Sequence, residues 1–274
     1  MNDSTPATLW AVADLHAAVR ANRERIAAIE PSSPRDWLIV AGDVAESTSR
    51  VLETLSDLHA RFDTVVWVPG NHELFSRATD AHKGKDKYAD LVAGCRSMGV
   101  FTPEDPFPVF DGVTVAGLFT LYDYSFRGPG LSVAQALEQA RARDFALFDD
   151  VAIAPFVDVR AWCQERLAYS IRRLSTVTGP TILVNHWPLV REPTRLLRYP
   201  DLALWCGTKH TRGWAERYQA HAVVYGHLHM PGVTRVRGVD HIEVSLGYPR
   251  EWGRRRTTHP WPYPVLVEGQ GRTP

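Results

Sequence analysis

Five times in this sequence a short apolar run ends in Asp, Asn or His, and that repeat constrains the fold more than any other feature. Leu9 to Ala13 runs into Asp14-Leu15-His16, Trp37 to Ala41 into Gly42-Asp43, and Thr64 to Val68 into Pro69-Gly70-Asn71-His72-Glu73. Later, Thr181 to Val184 runs into Asn185-His186, and Ala222 to Tyr225 into Gly226-His227-Leu228-His229. Short apolar runs bounded by turn residues read as buried strands. Amphipathic stretches from about Ala17 to Ile29, stopped at Pro31, and from about Arg50 to Arg61 read as helices between the first three. Strands and helices interleaved in this way make an α/β fold, whose parallel strands share one carboxyl-end edge where ligands bind. Gly42, Gly70 and Gly226 permit tight turns there. The five polar segments are therefore expected to converge on one crevice.

The rest of the chain fills in around these runs. Val113 to Phe119 reads as a strand, Val233 to Ser245 as a hairpin turning at Arg237-Gly238, and Tyr263 to Glu268 as an edge strand that tolerates Pro264. Helical inserts are expected at about 132–175, from Ser132 to Asp149 and from Asp158 to Leu174, while Lys83 to Lys87 and a polar tail at about 253–274 read as loops. No break in composition divides the chain, so one domain over 1–274 is expected. Lys plus Arg and Asp plus Glu both total 31, which excludes a general attraction for nucleic acid or for a membrane surface. The three cysteines, with no Cys-x-x-Cys spacing, argue against a disulfide framework and a thiolate zinc site. With no leader and no apolar run of about 18 residues, a cytoplasmic protein is expected.

Imidazole, amide and carboxylate together suit Mn, Fe or Zn, whereas Mg or Ca sites use oxygen almost alone. The five segments, in this order, resemble the calcineurin-like metallophosphoesterase superfamily. That resemblance implies a layered sandwich of β-sheets flanked by helices, with a dinuclear metal site at the strand carboxyl ends. It implies that Asp14, His16 and His229 hold a first metal, that Asn71, His186 and His227 hold a second, and that Asp43 bridges them. It further implies two divalent or trivalent ions, Mn and/or Fe foremost with Zn as the alternative, and a bridging hydroxide as nucleophile. His72 would be catalytic, stabilising the transition state or protonating the leaving oxygen. Glu46 either hydrogen-bonds that histidine, as in relatives, or is a helix-start carboxylate ahead of Ser47.

Four further segments, Leu121 to Phe126, Asn185 to Leu189, Leu204 to Thr208 and Gly247 to Trp252, resemble the actinobacterial phosphopantetheinyl hydrolases. The resemblance implies cleavage of the phosphodiester that joins 4′-phosphopantetheine to a serine of acyl carrier protein, so that acyl carrier protein is the expected partner. Arg250 and Arg254 to Arg256, with Lys83, Lys85 and Lys87, either dock an acidic partner or form a solvated basic surface. Tyr122, Asp123 and Tyr124 either line the pocket or pack, Trp187 and Tyr225 read as packing beside ligands, and Cys206 reads as structural. The competing reading keeps the same ligands in a generic small-molecule or cyclic-nucleotide phosphodiesterase or phosphomonoesterase. A noncatalytic metal-dependent scaffold is a third reading. The neutral chain, without a long basic groove interleaved with aromatics, argues against a nuclease.

Overall fold

The computed structural model describes residues 5–76, 80–143, 158–255 and 258–270. Its strands are β1 (Thr8–Val12), β2 (Trp37–Val40), β3 (Thr64–Trp67), β4 (Val109–Phe110), β5 (Val113–Gly117), β6 (Thr181–Val184), β7 (Ala220–Tyr225), β8 (Gly232–Val236), β9 (Val239–Glu243) and β10 (Tyr263–Val267). They form two sheets, ordered β10-β1-β2-β3 and β4-β5-β6-β7-β9-β8. The neighbours β1, β2 and β3 are parallel, as are β5, β6, β7 and β9. A parallel bridge between Ala13 and Ser245 joins the two sheets just past β1, so both send their carboxyl ends to one side.

Alternation along each strand builds the layers. Leu9, Ala11 and Ala13, then Ile39 and Ala41, Val66 and Val68, Val113 and Val115, Ile182 and Val184, Val224 and Ile242 meet in one core between the sheets. Intervening residues such as Val12, Leu38, Val40, Val65, Trp67, Leu183 and Val223 join a second core that includes the helices. Strands buried on both faces explain why the sequence shows continuous apolar runs there. The helix Thr48–His59 starts at Ser47, whose hydroxyl accepts from the Arg50 N–H, and buries Val51, Leu55 and Leu58 along one stripe. The helix Val159–Leu174 is capped by Asp158 and turns Trp162, Cys163, Leu167 and Leu174 inward.

The β8–β9 hairpin turns at Arg237 and Gly238, both at positive φ (48° and 85°), as the tight hairpin turn of a twisted ribbon requires. Pro264 lies on the outermost strand β10, opposite Trp10 beside a register shift in β1. The expected first helix is shorter than its apolar stretch, Arg20–Ala27. Of the expected insert from Ser132 to Asp149, Val133–Arg141 is a helix and residues 144–149 lie outside the described residues.

One expectation is corrected. Lys83 to Lys87 is not a loop throughout, because a helix runs from Lys85 to Ser97 with Lys87, Tyr88, Leu91, Val92 and Cys95 buried. Lys87 points inward, its ammonium donating to the carbonyls of Glu46 and Phe75. A buried lysine satisfied by carbonyls has the sequence signature of a solvated one, which is why the segment reads as polar.

Candidate metal centre

All eight expected site residues come together at the carboxyl ends of β1, β2, β3, β6 and β7. Backbone hydrogen bonds set the loops in register: Asp14 N–H donates to Gly42 O, His16 N–H to Asp43 O and Gly226 N–H to His186 O. Five of the residues sit at positive φ, namely Asp14 (52°), His16 (42°), Asp43 (55°), His227 (72°) and His229 (54°). The left-handed region costs an L-residue roughly 1–2 kcal/mol and is most accessible to Asn, Asp and His. That cost is borne where the chain must turn a side chain back toward the strand ends.

Glycines make room for the approach. A Cβ on Gly226 would stand 2.2 Å from Asp14 Oδ2, and one on Gly42 would stand 2.6 Å from His186 Nδ1.

The donors fall into two overlapping groups. In the first, His229 Nε2 lies 3.0 Å from Asp14 Oδ1 and 3.2 Å from His16 Nε2. In the second, Asn71 Oδ1 lies 3.0 Å from both His186 Nε2 and His227 Nδ1. Asp43 stands between them, 3.5 Å from His186 Nε2 and within a cluster that also includes His16 and His72. Asp14, Asp43 and His186 offer ligand atoms within 4.8 Å of one another, as do Asp14, His16 and His229. Nitrogen and oxygen lone pairs aimed at common points suit cations.

Partners behind the donors fix which atom faces inward, and sequence reasoning did not identify them. His186 Nδ1–H donates to Ala41 O at 2.9 Å, leaving Nε2 for the site. His229 Nδ1–H donates to Glu251 Oε2 at 2.8 Å, and Glu251 also accepts from Tyr248 N–H. Ser245 Oγ–H donates to Asp14 Oδ2 at 2.6 Å, while His227 N–H donates to the same carboxylate. Glu73 accepts from the N–H groups of Asp43 (2.9 Å), Val44 (2.6 Å) and Gly70 (2.8 Å), clasping the β2 and β3 loops. The Tyr248 ring stacks on His16 at 4.3 Å. Such supports hold ring orientation and tautomer in metal sites. The signals existed for two of them: Glu73 ends the Gly-Asn-His-Glu run, and Glu251 stands three residues past Tyr248 at the spacing of a helix-start carboxylate.

Charges in the site are strongly coupled. Burial would raise the Asp14 carboxyl, but His229 and His186 hold it well below the usual carboxylate range. Burial pushes His227 down to about 3, aided by His186, and pushes His16 down to about 4 against the pull of Asp43 and Asp14. Burial would also lower His186, but Asp43 outweighs it and raises the imidazole to about 9. Glu73 is raised to about 7 by burial and by the Asp43 charge. The neutral rings of His16 and His227 carry free lone pairs at neutral pH, whereas His186 and His229, held charged by Asp43 and Asp14, would give up a proton on binding a metal.

His72 is set apart from the ligands. Its N–H donates to Asp43 Oδ1 at 2.9 Å, while its ring lies at the half-open edge of the site, Nδ1 3.6 Å from Glu46 Oε1 and Nε2 3.8 Å from Asp43 Oδ2. Glu46 therefore faces His72 at ion-pair distance, beyond the reach of a direct hydrogen bond. Tyr122 and Trp187 are fully buried, and Cys206 is buried with its thiol toward Leu202 O, so all three pack. Asp123 accepts from Ser125 N–H and Thr208 Oγ–H, bracing two loops.

A model of calcineurin-like phosphoesterases matches residues 7–231. The chain belongs to this family. The match runs from β1 past His229, so it spans all eight residues at the crevice. The chain is 46% identical to the [acyl-carrier-protein] phosphodiesterase PptH of Mycobacterium tuberculosis, across 96% of this chain and 84% of the relative. Its fold is similar to the crystal structure of phosphopantetheinyl hydrolase (PptH) from the same organism, with a TM-score of 0.89, 45% identity and coverage of 93% of this chain and 94% of the other. As a member of the metallophosphoesterases, the chain is a metal-dependent hydrolase of phosphoesters with an α/β fold of two sheets flanked by helices. Among the described residues, no helix is long and apolar enough to cross a membrane.

Proposed function

We propose that this chain, one domain over 1–274, removes 4′-phosphopantetheine from the serine of holo acyl carrier protein by hydrolysing the phosphodiester between them. The observation that carries this is the convergence of two donor groups on one shared carboxylate, Asp43, beside a half-open histidine, in a chain 46% identical to a relative bearing that activity in its name. The donor set fits two cations. Asp14, His16 and His229 would hold one, Asn71, His186 and His227 the other, and Asp43 both, with Mn and/or Fe favoured and Zn the alternative. When bound, the two ions supply neutralisation of the phosphoryl charge and acidification of water.

The chain's own residues do the rest. Glu73, Glu251 and Ser245 hold Asp43, His229 and Asp14 in place before substrate arrives, which matters because phosphoryl transfer depends on positioning and charge. His72, on the open side, would give a proton from its ring to the leaving serine oxygen, with Glu46, 3.6 Å from its Nδ1, orienting the ring. No Ser or Cys nucleophile is required, and the buried Cys206 offers none.

A panel of holo acyl carrier protein, cyclic AMP, aryl phosphomonoesters and an aryl phosphodiester tests the reading. Intact-protein mass spectrometry should report conversion of holo to apo carrier protein with release of 4′-phosphopantetheine. Turnover of cyclic AMP or a monoester with the carrier protein left untouched would replace the proposal by the small-molecule reading. Two bound ions with no hydrolysis of any substrate would make the protein a scaffold.

A further inference from the structure

Three of the cations picked out from sequence are committed elsewhere. Lys87 is buried on carbonyls, and Lys85 pairs with Glu165. Arg255 donates to the carbonyls of Ser245, Leu246 and His229. A different group of cations stands free. The chain leaving His186 forms a 3₁₀ turn, Glu192–Leu196, and this turn separates two cavities.

On one side is an apolar groove of about 370 Å³, whose lining includes Pro193, Leu196, Tyr225, Leu228, Met230 and Val233. His229 also lines it, so the groove runs up to the candidate metal centre. Leu196 is 70% exposed and Val233 47% exposed at its margin. On the other side is a cavity of about 290 Å³ lined by Ser125, Phe126, Arg191, Glu192, Arg195, Lys209 and Arg212. Four cations thus surround one carboxylate, and no side-chain hydrogen bond or ion pair engages Arg191, Arg195, Lys209 or Arg212 among the described residues.

Other surface arginines are neutralised. Arg35, Arg50, Arg143, Arg160, Arg235 and Arg237 each pair with a carboxylate. The chain has as many acidic as basic residues, 31 of each, so partners are not scarce. Four like charges gathered around a single carboxylate repel one another in the free protein and favour an anionic partner over water. The arrangement is also directional, because a single turn carries Arg191 and Arg195 to the basic cavity and Pro193 and Leu196 to the apolar groove.

We propose that Arg191, Arg195, Lys209 and Arg212 form the docking rim for an acidic protein surface, placing the arm of a bound substrate along the apolar groove toward His229. The inference rests on the reading of the enzyme as a carrier-protein phosphodiesterase. A carboxylate-bearing surface is drawn to the rim, and the flexible arm crosses the turn and loses its apolar area to Leu196, Leu228, Met230 and Val233. The rim accordingly acts on encounter and KM, not on the bond-breaking step.

Two charge-reversed proteins test it: Arg191→Glu with Arg195→Glu, and Lys209→Glu with Arg212→Glu. Each is assayed with holo acyl carrier protein and with a small aryl phosphodiester, with Arg254→Glu, an exposed cation outside the rim, as control. The expected result for each pair is a loss of about tenfold or more in kcat/KM for the carrier protein, mostly in KM, with a weaker dependence on ionic strength. Turnover of the aryl diester should stay unchanged in both pairs, and Arg254→Glu should alter neither substrate. Unchanged carrier turnover in the pairs overturns the rim, and so does an equal loss on both substrates, which would assign the cations to the phosphoester itself. Cleavage of the aryl diester but not of the holo carrier by the wild-type protein rejects the carrier reading, and the rim with it.

Discussion

Replacing Gly70 by Ala should disable the site through one methyl group. Gly70 has φ −103° and ψ −170°, an extended conformation open to alanine, so no backbone strain enters. The added Cβ would stand 2.1 Å from Asp43 Oδ1 and 2.7 Å from Asp43 N, about 1.3 Å short of the 3.4 Å at which ordinary contact begins for the nearer atom. Asp43 is pinned by its own N–H on Glu73 and by the His72 N–H on its Oδ1, so the carboxylate cannot swing away without breaking one of these. A displacement of about 1 Å in a reacting constellation costs about 100-fold in rate. Overpacking a tight site costs about 1–3 kcal/mol of stability, a fall of several degrees in Tm for a chain of this size. Kinetics on an aryl phosphodiester, metal analysis and a thermal melt would be compared with Gly213→Ala, where nothing lies within 4 Å of the new Cβ. Gly70→Ala should keep a cooperative melt while losing about 100-fold in kcat/KM and binding fewer than two ions per chain. Wild-type kinetics and metal content in Gly70→Ala would refute the role given to the position of Asp43.

His72→Ala retains the backbone N–H that donates to Asp43, so metal content should stay near two ions per chain while kcat falls about 10²–10⁴-fold; equal loss of metal and activity would place His72 among the ligands. Glu251→Gln weakens the acceptor behind His229 Nδ1 and should lower metal affinity about 10–100-fold, measured by chelator competition, with unchanged affinity counting against the support. Far from the site, Asp36 accepts from Thr8 N–H, Trp10 Nε1–H, Ser32 N–H and Ser32 Oγ–H, ties that outweigh burial and hold its carboxyl below the ordinary 3.8. Its folded pKa is depressed, so its contribution is present above the unfolded value and is lost as pH falls through the folded one. Urea unfolding should therefore show the wild type losing more stability between pH 6 and pH 3 than Asp36→Asn, and equal losses would remove Asp36 from the account.

Much of the site was legible because its logic is local. A strand buried on both faces writes itself as an apolar run, and the residue that ends the run is the one the sheet delivers to its edge, as for Asp14, Asp43, Asn71, His186 and His227. What stayed hidden depends on contacts between distant segments. Glu251 reaches His229 and Ser245 reaches Asp14 across 22 and 231 residues, with no periodicity to mark them. Positive φ at the ligands is likewise a tertiary outcome, since Asp and His tolerate it without advertising it as glycine does. The helix Lys85–Ser97 was missed because its first turn is charged, and Lys87 is stabilised only once the carbonyls of Glu46 and Phe75 fold over it. The basic surface depends on the fold in the same way: a sequence lists arginines, but only the fold tells Arg255, spent on carbonyls, from Arg191 and Arg195, whose side chains have no hydrogen bond or ion pair among the described residues.

The most direct test of the central claim, hydrolysis by water at phosphorus in the carrier-protein phosphodiester, uses holo acyl carrier protein in water enriched in oxygen-18. The account predicts apo carrier protein whose serine carries no label and free 4′-phosphopantetheine with one labelled oxygen on its phosphate. Label on the serine, or a holo protein left intact while an aryl phosphodiester is hydrolysed, would contradict it.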